Sequence, residues 1–377
     1  MNLKIYSLSS KSDILKFIKC QWNFYKDDKY FVPPLIADRL KLLDVHKNPF
    51  YKHSLIELFI AESDGEIVGR IAAIINENHN VTHSDKVGFF GFFESIDNPE
   101  VSNALLDKAS DWLKERGYDT IRGPVNPSMN DEIGLLIDGY DYIPQIMMPY
   151  NPKYYESLIE AAGFVKAKDL YAFLVNYEMY SSEKLMRVQK IVRERYKVSV
   201  RAVNFKNKKQ FLKDVEDVKE IYNRAWVPNW GFVKWTEDEF NALASDLKQV
   251  ADPELCVIAE INNKPVGFAI ALPNINQALQ YNKNGSLVGA IWHLLTKKKK
   301  INWLRIAALG VLPEYQKSGI DSILYYEIGE RGTKAGMIWG EASWILEDNV
   351  MMVRGMTQTM SAKLYKTYRI YEKKLSV

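Results

Sequence analysis

The stretch Leu58-Phe-Ile-Ala-Glu-Ser-Asp-Gly-Glu-Ile-Val-Gly-Arg-Ile-Ala-Ala recurs later in the chain as Cys256-Val-Ile-Ala-Glu-Ile-Asn-Asn-Lys-Pro-Val-Gly-Phe-Ala-Ile-Ala. Each copy is a pair of apolar runs around a short polar turn, Ser63-Asp64-Gly65 in one and Asn262-Asn263-Lys264 in the other. Apolar runs of strand length about such a turn form a β-hairpin. Gly69 and Gly267 fall at the same place in the second run of each copy. A glycine inside a strand marks a bulge or the close approach of another backbone. A chain carrying the same hairpin twice is expected to fold as two similar halves.

The repeat extends outward. Leu3–Tyr6 and Val198–Val203 read as short strands, each followed by a one-faced helix, Lys11–Tyr25 and Lys208–Ala225. Val87–Phe93 corresponds to Arg305–Val311, and each precedes a helix, near Val101–Arg116 and Ile320–Lys334. Strands Thr120–Val125 and Met337–Ile345, helices Pro152–Ala162 and Asn349–Met360, and closing strands Phe164–Leu174 and Lys363–Lys373 complete the halves. The expected class is α/β, a mixed and mostly antiparallel sheet flanked by helices in each of two domains, residues 1–176 and 177–377. A length of 377 residues, 47% hydrophobic, suits two domains better than one.

Composition excludes more than it assigns. A net charge of +3 argues for neither a nucleic-acid partner nor an acidic substrate. Cys20 and Cys256 show no metal spacing or disulfide framework, which fits a reducing cytoplasm. The opening Met-Asn-Leu-Lys-Ile-Tyr reads as a strand and not a signal peptide, and no apolar run approaches a membrane span of about 20 residues. A cytoplasmic protein without nucleic-acid or membrane partners is expected, as a monomer or a homodimer. The run Lys297–Lys300 reads as a solvated loop or a phosphate contact. The segment Pro273–Trp303 is an insertion that reads equally as a lid or as a decorated hairpin.

Residues 309–321, Leu-Gly-Val-Leu-Pro-Glu-Tyr-Gln-Lys-Ser-Gly-Ile-Asp, carry the chemistry. An apolar strand ends at Pro313, and Gln316-x-x-Gly319 opens a helix with Ile320, Ile323, Leu324 and Ile328 at helical spacing. Unpaired N–H groups and the positive helix end converge there, an arrangement that suits a pyrophosphate.

This loop resembles the acyl-CoA loop of the GNAT superfamily, the GCN5-related N-acetyltransferases, where Gln/Arg-x-x-Gly-x-Gly/Ala follows the fourth strand. Asp321 departs from the general pattern; its carboxylate is tolerable beside a phosphate if it turns back to cap its own helix. The stretches Glu341–Asn349, Lys363–Lys373, Asn126–Gly134 and Asn229–Phe232 are similar to a group of bacterial tandem-GNAT proteins in which Gly-Ile-Asp ends the loop. The resemblance implies acetyl-CoA or another acyl-CoA as donor, held by Gln316, Lys317, Ser318, Gly319, Ile320 and Asp321. It implies an oxyanion donor from Leu309, Gly310 or Val311, a pantetheine contact from Asn349, and direct acyl transfer to an amine. Asn349 reads equally well as a helix N-cap. In many members a tyrosine about seven residues beyond that asparagine protonates the CoA thiolate; Met356 stands near that place here, with Tyr365 as substitute. The first half has Phe93-Glu94-Ser95-Ile96-Asp97-Asn98-Pro99 where the loop belongs, and these acids would repel a pyrophosphate.

Glu341, with Ser343 on the same strand face, is the candidate general base, against a solvent-facing or ion-paired strand residue. Asn229, Trp230 and Trp235, beside Trp226, and the polar knot with Asn130 and Glu132, are candidate substrate contacts; the tryptophans read equally as a satellite apolar cluster. His79-x-x-x-His83 has helical metal spacing in what reads as a polar loop, and no metal is expected. Three functions remain open: acyl transfer to a small amine or amino-acid-like metabolite, aminoacyl transfer of the peptidoglycan-bridge type, and a non-catalytic CoA-binding scaffold.

Overall fold

The computed structural model describes residues 2–375, as two compact units. The first comprises the chain to residue 170, residues 278–296 and the chain from residue 367; the second comprises 171–277 and 297–366. Both are mixed sheets flanked by helices.

In the first unit the strands Leu3–Leu8, Ser54–Ser63, Glu66–Asn76, Val87–Ser95 and Thr120–Gly123 lie side by side in chain order. All pairs are antiparallel except the last, which is parallel. The second unit repeats this with Val198–Ala202, Cys256–Ile261, Lys264–Pro273, Trp303–Val311 and Trp339–Leu346, again with only the fourth and fifth parallel.

The twin hairpins match in detail. Asp64 and Gly65 have φ of 52° and 84°, and Asn262 and Asn263 have 50° and 60°. Both central residues left-handed is the tight turn whose twist matches paired strands. The register slips beside Ala61 opposite Gly69, and beside Ala259 opposite Gly267. A Cβ on Gly267 would lie 3.0 Å from the Gly310 carbonyl oxygen, and one on Gly69 would lie 2.9 Å from that of Glu94. Bulge and close approach therefore coincide at both glycines.

The closing strands depart from expectation. Each half was expected to keep its own, giving domains 1–176 and 177–377. Instead, residues 171–176 of the strand Val165–Asn176 count with the second unit, where Val175 packs against Gly340. Residues from 367 on count with the first, where Tyr371–Lys374 pair with Gly123–Thr120. Only the C-terminal part of each closing strand counts with the other unit.

The helix Ile320–Lys334 buries Ile320, Ile323, Leu324 and Ile328 in the second unit's core, and Pro99–Lys114 buries Val101, Leu105, Leu106, Ala109 and Leu113 in the first. A helix absent from the sequence reading, Glu183–Tyr196, starts at a Ser182 cap and inserts Leu185 and Val192 into the second core. The middle of the insertion belongs to the first unit, where the Trp22 indole donates to the Lys283 carbonyl at 2.7 Å and the Ile36 N–H to that of Gly285 at 3.0 Å.

His79 and His83 lie on a short helix, Glu77–His83, and not in a loop. His79 is fully buried, and burial, with help from the charges of His83 and Arg122, lowers its pKa to about 3. At 3.6 Å from Asp85 it is therefore a neutral neighbour and not an ion pair. A histidine depressed when folded binds protons better when unfolded, so stability falls as pH drops below about 6.5 towards the folded value. Urea unfolding is expected to show about 1 kcal/mol lost between pH 7 and 5.5 from this group, a loss missing in His79→Leu.

Candidate active site

The fourth and fifth strands of the second unit pair only from Trp303 opposite Trp339 to Ile306 opposite Ala342. Beyond that point they diverge, and Ala307, Ala308 and Leu309 are half-buried. The fourth strand then runs through Pro313–Tyr315 into Gln316–Gly319 and the helix Ile320–Lys334. Gly319 has a φ of 88°, a conformation glycine takes without strain, and a Cβ there would lie 2.9 Å from Val192 Cγ2. Gln316 is tethered by its side-chain amide to the Val311 carbonyl at 3.4 Å, and Ser318 N–H donates to the Tyr315 carbonyl at 3.2 Å. Among the described residues, the N–H groups of Lys317, Gly319 and Ile320 have no protein acceptor. They are the donors a phosphate needs at this helix end. The Asp321 carboxyl is raised by desolvation, against the lowering effect of the N–H groups of Ser322 and Asp321 itself. It therefore turns back on its own helix end.

The first half differs at the matching strand. Arg70 opposite Glu94 and Gly69 opposite Ser95 match Phe268 opposite Gly310 and Gly267 opposite Val311. Glu94 thus occupies the place of Gly310. It is buried with Arg70 at 3.3 Å and accepts the phenols of Tyr155 at 2.6 Å and Tyr25 at 3.0 Å. Ser95 N–H donates to the Tyr155 phenol at 3.1 Å, so it points away from the third strand. At the equivalent register Val311 N–H, and Leu309 N–H by alternation, face the splay, whereas Gly310 N–H faces the third strand. Of the three expected oxyanion donors, Leu309 and Val311 present their N–H groups to the splay and Gly310 does not.

At the base of the splay lies a buried polar cluster. Arg305 and Glu341 are opposite each other in the register, one pair before the strands part. Glu341 is fully buried and accepts hydroxyl hydrogen bonds from Ser343 on one oxygen and Tyr365 on the other. Lys366 Nζ stands 3.6 Å from the same oxygen as Tyr365. Arg305 Nε donates to Ser343 Oγ at 3.0 Å and its NH2 to the Ser343 carbonyl at 3.2 Å. Burial holds the Lys366 ammonium below the ordinary lysine range; Glu341 opposes that and Arg305 adds to it. Tyr365, 7% exposed, is the most accessible member, and Glu341 at 0% the least. Trp303 stands beside the Tyr365 ring at 6.4 Å. A carboxylate that accepts a phenol's hydrogen bond can take a proton relayed through that phenol and return it by the same route.

The structure thus joins Glu341 to Tyr365, adding Arg305 and Lys366, which the sequence reading did not single out. A lysine inside an aromatic-rich strand gives no signal of burial. Asn274 was also missed: it is fully buried, and neither side-chain polar atom has a protein partner among the described residues. Its N–H donates to the Trp303 carbonyl at 2.8 Å, beside the fourth strand.

The other expected residues have local partners. Asn349 caps the helix Val350–Arg354, accepting Met352 N–H at 3.2 Å. Met356 is core. Asn229 closes a turn, its N–H to the Trp226 carbonyl at 2.8 Å. Trp226 stacks on Tyr222 and Phe268, and Trp235 meets Phe240 edge-on in a satellite apolar cluster; Trp230 is half-buried. Trp226 also covers Gly310, where a Cβ would lie 2.3 Å from its ring. In the first unit Glu132 takes both its oxygens to Arg39 at 2.8 and 2.9 Å, and Asn130 N–H donates to Ser128 Oγ at 3.1 Å.

Residues 215–349 match the family model described as Acetyltransferase (GNAT) family. The chain is 36% identical over 374 residues to Protein YghO of Escherichia coli (strain K12), covering 97% of this chain and 94% of that one. The chain belongs to the GNAT family. It is an acyltransferase of the N-acetyltransferase type. A second relative, a bacterial ceramide synthase of Caulobacter vibrioides (strain NA1000 / CB15N), is 33% identical over 388 residues, 99% of this chain and 98% of the other. Among solved structures, a tandem GNAT protein from the clavulanic acid biosynthesis pathway matches with a TM-score of 0.60 at 10% identity, covering 100% of this chain and 99% of that one, a likeness of fold.

Proposed function

We propose that this GNAT protein transfers a long-chain acyl group from an acyl-CoA to the amino group of a long-chain amino alcohol, forming an amide and releasing the CoA thiol. One observation carries the acceptor: end-to-end identity of 33% with a protein named as a bacterial ceramide synthase, a ceramide being the N-acyl amide of such an alcohol. The small amine or amino-acid-like metabolite expected from the sequence is the competing acceptor.

The geometry supports a direct mechanism. The N–H groups of Lys317, Gly319 and Ile320 hold the pyrophosphate, with Gln316, Ser318 and Asp321 shaping the turn. Leu309 and Val311 N–H groups stabilise the oxyanion as the amine nitrogen adds to the thioester carbonyl. Tyr365 accepts the proton lost by the amine while passing its own to Glu341; the reverse transfer protonates the departing thiolate. The C–N bond forms, the C–S bond breaks, and the proton moves from nitrogen to sulfur. Lys366, at 3.6 Å, and Arg305, through Ser343, are neighbours of Glu341 in the same buried cluster.

The test is incubation of the purified chain with palmitoyl-CoA and sphinganine, beside acetyl-CoA with small amines. Release of free thiol together with N-palmitoyl product is expected, at a kcat/KM at least about a hundredfold above any small-amine pair. Product from acetyl-CoA and small amines alone would overturn the long-chain reading and leave the acyltransferase intact.

A further inference from the structure

The helix Leu287–Lys297 is amphipathic in the wrong sense for a helix whose outer face meets water. Its buried residue is the small Ala290, while Val288, Ile291, Trp292 and Leu295 are 80%, 52%, 64% and 75% exposed. The spacing i, i+3, i+4, i+7 places these four on one outward stripe. Leu287, 54% exposed, widens it. Single exposed apolar residues are ordinary, but a contiguous stripe with a tryptophan marks a contact surface.

The helix runs directly into Lys298–Lys300, all exposed. Residues 274–303 contain five lysines and no aspartate or glutamate. The patch is therefore apolar on its outward face and cationic at its C-terminal end. An anionic lipid surface fits both features: acyl chains take up the apolar stripe, tryptophan suits the interface, and lysines meet the headgroup phosphates. A second copy of this chain would bring lysines against lysines. No described helix is long and apolar enough to cross a membrane.

We propose that Leu287–Lys300 docks this protein on anionic membrane surfaces, with the helix lying in the plane of the interface. This departs from the expectation of no membrane partner, which considered only spanning segments. It rests on the surface alone and holds whatever the acceptor is. Delivery from a bilayer would nevertheless suit a long-chain amino alcohol.

The test is flotation of the full chain with phosphatidylcholine vesicles, with and without about a third phosphatidylglycerol. Binding to the anionic vesicles that weakens with salt is expected. Replacing three lysines together, Lys298→Gln, Lys299→Gln and Lys300→Gln, should lower the partition coefficient on the order of a hundredfold, since each juxtamembrane lysine contributes about fivefold. Ile291→Asp with Leu295→Asp should abolish binding to both vesicle types. These residues are exposed, so an unchanged thermal midpoint confirms that the variants fold. Absence of vesicle binding by the native chain would overturn the proposal. So would sedimentation showing a dimer that Ile291→Asp with Leu295→Asp dissociates, because the stripe would then be a self-association face.

Discussion

Glu341→Gln is expected to be the most damaging single substitution in the second unit, in stability and in rate together. The carboxylate is fully buried, stands 3.6 Å from Lys366 Nζ, and has Arg305 held beside it through Ser343. Removing one partner of a buried pair leaves the other uncompensated, a cost of about 3–5 kcal/mol. Urea unfolding should show that loss. Part of it should recover as pH rises from 7 to 9: Lys366 is depressed when folded, so the unfolded chain binds its proton more readily, and stability grows as that proton is lost. The rate should fall about 10²–10⁴-fold, because an amide cannot accept the proton that Tyr365 passes on. Tyr365→Phe separates the two effects. It removes the relay while keeping every buried charge, so the rate should drop about a hundredfold or more with a stability loss of about 1–2 kcal/mol. Adding Lys366→Met to Glu341→Gln should restore much of the stability and none of the rate. Normal turnover by Tyr365→Phe would make the cluster purely structural.

What the sequence could and could not reveal follows from the range of the interactions. The hairpins were legible because turn and alternation are local: Asp64-Gly65 and Asn262-Asn263 are residues that accept left-handed backbone. The division of the closing strands was not, because an alternating segment such as Lys363–Lys374 carries no local mark of which strand it pairs with. The pairing of Glu341 with Arg305 needed the parallel register, and that of Glu341 with Tyr365 needed the path of the last strand. Lys366 was hidden by composition, since lysines in strands ordinarily face water. The stripe on Leu287–Lys297 was hidden too: the segment reads as a lid or a decorated hairpin, and only the structure shows a helix with that face outward.

Gly319→Trp is expected to abolish CoA binding while leaving most of the core in place. The position has a φ of 88°, and even a Cβ would lie 2.9 Å from Val192 Cγ2. A side chain there carries a left-handed penalty of about 1–2 kcal/mol and pushes the helix Glu183–Tyr196 away from the loop. An indole would in addition cover the N–H groups of Lys317 and Ile320 that a pyrophosphate needs. Calorimetric titration with palmitoyl-CoA should show the dissociation constant raised more than about a hundredfold, a loss of about 3 kcal/mol. Gly319→Ala, which adds the strain but no cover, should cost about tenfold, and Val192→Ala in the same chain should recover part of it. Native stoichiometry should be one CoA per chain. In the first half the register of Gly310 is taken by Glu94, buried with Arg70 and two tyrosine phenols, and freeing it would leave that buried ion pair broken. A second saturable site, or full binding by Gly319→Trp, would move the donor away from the Gln316–Asp321 loop and detach the catalytic role of the Glu341–Tyr365 pair from it.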